Sequence, residues 1–194
     1  MSWLISISSP LPFLESLTLR GNLEKIPAWV GQSLNLVKVQ LSFCRTKEVE
    51  ALAELPNLML LRLYGDAFLA EKLVFRAHKF PKLKILSLGW FSNLRNLSFE
   101  ESTSPHMESI NINNCRLTSG INGIKHLGNL KEISISAGQF AKVDMLRQEM
   151  EAHPKHPVLQ MKSVAILVQA TAQDDEVTSE AVESHSVPGE SSQS

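Results

Sequence analysis

The sequence predicts an α/β solenoid, a stack of short parallel strands joined by irregular or briefly helical returns, and three observations carry this expectation. An apolar pattern recurs at a nearly constant interval. Each occurrence alternates apolar with polar residues, and short proline-bearing motifs precede some of them.

The recurrence comes first, because a fixed period is the mark of a repeat architecture. Leu14-x-x-Leu17-x-Leu19 returns as Leu36-x-x-Val39-x-Leu41, Leu58-x-x-Leu61-x-Leu63, Leu83-x-x-Leu86-x-Leu88, Met107-x-x-Ile110-x-Ile112 and Leu130-x-x-Ile133-x-Ile135. First positions are separated by 22, 22, 25, 24 and 23 residues, inside the range of about 20 to 29 that defines leucine-rich repeats. Side chains of an extended chain alternate between two faces, so each Leu-x-Leu reads as a strand with leucines inward and polar residues outward. Leu55-Pro56-Asn57-Leu58 and Phe80-Pro81-Lys82-Leu83 mark re-entry into the next strand; proline there fixes φ and stops a preceding helix. One unit cannot bury its own apolar side. Six therefore stack into a leucine-rich-repeat solenoid, with a curved parallel β-sheet on the concave face and an irregular or short helical convex face.

The array is irregular. Three residues past the last strand position the signature expects Asn or Cys; Asn22, Cys44 and Cys115 comply, whereas Asp66, Phe91 and Gly138 do not. Residues 1–13, with Leu4 and Ile7, read as the remnant of a preceding repeat, and residues 14–139 as the repeats. No polar cap precedes them, so the chain is expected to be cut from something longer and to be poorly soluble alone. Within 140–162, Phe140, Val143, Leu146, Arg147 and Met150 fall at helical spacing, giving a capping helix that ends before Pro154, with an extension. Residues 163–194 read as a mostly disordered acidic and Ser-rich tail.

Composition and motifs narrow the function. Nineteen basic against twenty acidic residues leave a formal net charge of −1, so no global field favours nucleic acid. No apolar run reaches the roughly 20 residues of a membrane span. No secretory signal is visible, which points to a cytoplasmic protein and makes Asn96-Leu97-Ser98 an accidental match to the glycosylation pattern. There is no Gly-x-Ser-x-Gly and no Gly-x-x-x-x-Gly-Lys-Ser/Thr, so neither a hydrolase nor a nucleotide site is expected and the chain is read as a non-enzyme. Cys44 and Cys115 lie three strands apart, about 14 Å at 4.8 Å per strand, beyond the reach of a disulfide; they read as buried thiols. His153 and His156 lack further ligands for zinc and read as a surface turn. Trp29 reads as packed on the neighbouring repeat.

What remains is the outward row: Ser16, Thr18, Arg20; Lys38, Gln40, Ser42; Arg62, Tyr64; Ser109, Asn111, Asn113; Glu132, Ser134, Ser136. Stacking sets these side by side as a partner-binding concave face, with Arg62 and Tyr64 the strongest anchors because Arg and Tyr are enriched at hot spots.

The ordered phrases Phe13-Leu14-Glu15-Ser16-Leu17-Thr18-Leu19-Arg20-Gly21, Leu23-Glu24-Lys25-Ile26-Pro27-Ala28-Trp29-Val30 and Gly123-Ile124-Lys125-His126-Leu127-Gly128-Asn129-Leu130-Lys131-Glu132-Ile133 resemble the C-terminal repeats of plant intracellular disease-resistance proteins of the coiled-coil, nucleotide-binding, leucine-rich-repeat type. The resemblance covers roughly residues 10 to 160. It implies protein partners: a pathogen effector, a guarded host protein, or the nucleotide-binding domain of a parent receptor held inactive. It implies no cofactor in this chain, since ADP or ATP belongs to a nucleotide-binding domain absent from it. The coiled coil and phosphate loop of that family are missing, and the acidic tail matches nothing in it. A free-standing adaptor, such as a ubiquitin-ligase substrate adaptor, is the alternative.

Overall fold

A computed structural model describes residues 11–23, 25–47, 49–136 and 142–162. The expected N-terminal remnant strand, Gly138, Phe140 and the acidic tail lie outside the described residues. The Leu-x-Leu segments form β1 (Ser16–Arg20), β2 (Lys38–Ser42), β3 (Leu60–Tyr64), β5 (Ile85–Phe91), β7 (Ser109–Cys115) and β9 (Glu132–Ser136). With β10 (Val158–Lys162) they make one parallel sheet in the order β1-β2-β3-β5-β7-β9-β10. Leu17, Val39, Leu61, Leu86, Ile110 and Ile133 align across it, as do Leu19, Leu41, Leu63, Leu88, Ile112 and Ile135. All twelve are buried in a single core. Parallel strands need a crossover, and the 22–25-residue period supplies one per repeat.

Each re-entry is a turn. The first-position N–H donates three residues back at Leu14, Leu36, Leu83, Met107 and Leu130. Asn57 Nδ2 donates to the Leu34 carbonyl at 3.0 Å and Asn129 Nδ2 to that of Pro105 at 2.7 Å. Where an asparagine precedes the leucine, it thus ties its turn to the one beneath.

The returns differ from expectation in one respect. Repeats one and two close through single-turn helices, α1 (Ala28–Gln32) and α2 (Glu50–Ala53), with Trp29 and Leu52 buried. In the next three, β4 (Lys72–Phe75), β6 (Asn96–Phe99) and β8 (Gly120–Asn122) form a second parallel sheet. Leu73, Phe75, Leu97, Phe99 and Ile121 join the core, where Phe75 lies 4.8 Å from Phe80 and 5.0 Å from Phe99, centroid to centroid. The cause is local: x-Leu-x-Phe has strand alternation, and it occurs in register in two consecutive repeats.

The C-terminal helix forms as α3 (Val143–Glu151), burying Leu146 and Met150. The extension beyond it is a seventh strand, paired from Val158↔Glu132 to Lys162↔Ser136. His153, expected on a surface turn, is fully buried. It occupies the turn slot that Ser33, Leu55, Phe80, Ser104 and Leu127 fill earlier, all of them buried. Its Nδ1 accepts the Lys155 N–H at 3.1 Å, which leaves Nε2 to donate to the Leu127 carbonyl at 3.2 Å.

Candidate functional site

Register places the outward side chains of the large sheet in three rows. The first runs Ser16, Lys38, Leu60, Ile85, Ser109, Glu132 and Val158; the second Thr18, Gln40, Arg62, Ser87, Asn111, Ser134 and Gln160; the third Arg20, Ser42, Tyr64, Gly89, Asn113, Ser136 and Lys162. Sequence reasoning placed fourteen of these on one face. It omitted Leu60, the whole outward side of β5, and β10. The β5 residues were available from the same spacing, since Leu83-x-x-Leu86-x-Leu88 brackets Ile85, Ser87 and Gly89. β10 carries no full Leu-x-x-Leu-x-Leu signature.

Three expected contact residues are not accessible. Ser42, Ser134 and Ser136 stand on the outward rows but are 8%, 2% and 6% exposed. Short side chains sink between longer neighbours: Ser42 lies between Arg20 and Tyr64, and Ser134 between Asn111 and Gln160. Ser136 Oγ instead accepts the Asn114 N–H at 2.9 Å, which holds the end of β7.

The remaining polar residues divide by position. On β7, β9 and β10 they satisfy one another: Ser109 Oγ donates to Glu132 Oε1 at 2.9 Å, Asn111 Nδ2 to Ser109 Oγ at 3.2 Å, and Gln160 Nε2 to Glu132 Oε2 at 3.1 Å. At the amino edge Glu108 takes Lys131 at 2.5 Å and Lys84 at 3.6 Å, and the Lys131 ammonium bonded to it lowers its pKa. On β1, β2 and β3, Arg20, Lys38 and Arg62 form no ion pair among the described residues.

One feature lies just past the third row. The residue two past the last inward strand position has a left-handed backbone in five consecutive repeats: Gly21 (φ 104°), Phe43 (56°), Gly65 (58°), Trp90 (59°) and Asn114 (52°). Gly and Asn suit this conformation, while it costs a bulky L-residue about 1–2 kcal/mol. Phe43 and Trp90 bear that strain with side chains 52% and 59% exposed. The Phe43 ring lies against Gly65, where a Cβ would meet it at 2.4 Å, and the Tyr64 ring lies against Gly89 in the same way. The Arg20 guanidinium sits 5.5 Å from the Phe43 centroid, within cation–π range. Phe43 and Trp90 were missed because a period-two reading ends at the last strand leucine.

The two cysteines occupy equivalent turns behind the sheet, both buried and unpaired. Cys44 Sγ donates to the Leu19 carbonyl at 3.4 Å, and Cys115 Sγ to that of Asn113 at 3.3 Å. Burial pushes both thiols up, Cys115 from 9.0 to about 11, so neither is an activated thiolate. Asn22, at the same offset in repeat one, is exposed. Among the described residues no three His, Cys, Asp or Glu side chains gather in a metal-binding group, and no helix is long and apolar enough to cross a membrane.

A parallel sheet with repeating returns and an outward face of mixed polar, cationic and aromatic residues defines a leucine-rich-repeat protein. Residues 2–159 match the family described as a leucine-rich repeat region, and the chain belongs to it. Within that class it is similar to plant resistance proteins. It is 28% identical over 139 residues to the disease resistance protein RPM1 of Arabidopsis thaliana, covering 70% of this chain and 15% of that protein. It is 29% identical over 125 residues to the disease resistance protein RPP8 of the same plant, covering 63% of this chain and 14% of that one. The match thus spans about a seventh of the length of these relatives.

Proposed function

We propose that the chain is the protein-binding repeat region of a plant disease-resistance receptor, acting in defence by docking a pathogen effector or a guarded host protein on the outward face of its large sheet. The same surface, or its edges, would hold an adjacent nucleotide-binding switch inactive. The observation that carries this reading is the face itself: seven strands in one register presenting unpaired cations and exposed aromatics, in a chain whose relatives are resistance proteins. In this reading the chain binds without catalysing, and ADP or ATP would reside in the nucleotide-binding partner. A cytoplasmic location accords with that partner.

Switching of this kind demands a ligand with different affinities for the inactive and active states, because equal affinity shifts nothing. A face accessible in one state and altered in the other would provide this difference.

The test is affinity purification of the tagged full chain from infected and uninfected leaf tissue, beside a variant with Arg62→Glu and Asn111→Trp. Recovery of a nucleotide-binding receptor segment, an effector or one host protein by the parent chain alone is the expected result. Recovery of ubiquitin-ligase subunits would mark an adaptor. Identical recoveries from chain and variant would remove the outward face from the account.

A further inference from the structure

Three features of the outward face converge on its β1–β5 side. Two exposed aromatics, Phe43 and Trp90, are kept at backbone positions that the neighbouring repeats give to Gly or Asn. Buried Phe80 and Leu117 share this backbone in the core; Phe43 and Trp90 differ in turning large apolar side chains to solvent, 52% and 59% exposed. One more ring lies nearby, Tyr64 against Gly89, while the Phe43 ring lies against Gly65 with Arg20 over it. A rigid aromatic surface binds with little loss of side-chain freedom, and Trp, Tyr and Arg are the residue types that dominate interface energetics.

The charges decide what docks there. The β1, β2, β3 and β5 strands carry Arg20, Lys38 and Arg62 and no carboxylate. The nearest one past the third row, Asp66, accepts both the N–H and the hydroxyl of Ser92, at 2.7 and 2.8 Å. Glu15 flanks the amino edge of β1 and forms no ion pair among the described residues. Strands are about 4.8 Å apart, so Phe43 and Trp90, at the ends of strands two apart, are separated by about 10 Å, the rise of three extended residues.

Resting on the reading of the outward face as a docking surface, we infer that the carboxyl ends of β1, β2, β3 and β5 form a ledge for an acidic segment of a partner protein. One large apolar side chain of that segment packs on Phe43, Tyr64 and Trp90, and flanking Asp or Glu residues pair with Arg20 on the ledge and Arg62 one row before it. A nucleic acid would use the same cations and rings, but the formal net charge of −1 supplies no long-range field for a polyanion.

The full chain is used to select binders from a phage-displayed library of random 12-residue peptides, and affinities are measured by fluorescence anisotropy. Enriched peptides should carry net negative charge with at least one large apolar residue. Their affinity should fall at least tenfold in a Phe43→Asn, Trp90→Asn double variant and in an Arg20→Ser, Arg62→Ser double variant. Asn tolerates the left-handed backbone, as at position 114, so the first variant should melt no lower than the parent chain. The inference is overturned if nothing is enriched, if the peptides are neutral or basic, or if a labelled single-stranded RNA binds more tightly than they do. Peptides that survive the ledge variants but are lost on Ser109→Trp would also overturn it, while leaving the outward face as a docking surface elsewhere.

Discussion

Along β7, β9 and β10, Ser109, Asn111, Glu132 and Gln160 hydrogen-bond to one another; along β1, β2 and β3, Arg20, Lys38 and Arg62 face solvent without an acidic partner among the described residues. The backbone register is the same in both regions. A ligand landing on the first must break existing bonds, and a polar group left unmatched there costs about 1–3 kcal/mol. On the second, Arg20, Lys38 and Arg62 have no ion pair to give up among the described residues. Repetition of the fold therefore does not make every part of the face equally available; the side chains between the leucines decide that.

The strongest perturbation concerns the coupling of the two regions. Leu88 is fully buried on β5, next to β7. Leu88→Ala should destabilise by about 3 kcal/mol, and repeats stabilised by their neighbours should still melt in one transition. Urea denaturation followed by tryptophan fluorescence and circular dichroism checks both; two separated transitions would show that the regions fold independently.

The cysteines offer the next contrast, because burial raises both thiols. Cys115 is held neutral to about 11 against an ordinary 9.0. Above pH 9 the unfolded chain loses its proton first, so stability is complete below that pH and falls as pH rises toward 11. Two units at about 1.36 kcal/mol each give a loss near 3 kcal/mol. Cys115→Ala should flatten the decline, as read from denaturant midpoints between pH 8 and 11.

Smaller effects separate the turns. His153→Ala leaves the Lys155 N–H without its acceptor and removes one of two donors to the Leu127 carbonyl, which keeps the Leu130 N–H, with an expected cost of about 2 kcal/mol. Ser33, in the same slot at the other end, donates to the Trp29 carbonyl and accepts the Leu11 N–H, and Ser33→Ala should cost about 1 kcal/mol. Thermal melts rank the two. Least of all, Glu132→Ala should lose about 0.5–1 kcal/mol with its network, whereas Arg62→Ser should stay within about 0.5 kcal/mol of the parent. Equal losses would dissolve the distinction between satisfied and unsatisfied regions.

Much of the fold was legible in the leucines, because an inward residue at every second position is a periodic signal that needs no tertiary knowledge. Helix α3 was legible for the same reason. The second sheet was not: its four-residue strands are too short for alternation to stand out from chance. Nor was β10, where the first-position residue is His156 instead of Leu. On the face itself, Arg62 and Tyr64 were recognised by type, but the burial of Ser42, Ser134 and Ser136 depends on the length of neighbouring side chains. Phe43 and Trp90 could be found only from backbone angles.

The most direct measurement compares two photo-crosslinking groups in the second row, benzoylphenylalanine at Gln40 in one chain and at Asn111 in another. Each chain is irradiated in leaf extract, and its protein adducts are quantified by mass spectrometry. Adducts should form several times more abundantly from position 40. Equal yields, or a preference for position 111, would contradict the assignment of docking to the unsatisfied region.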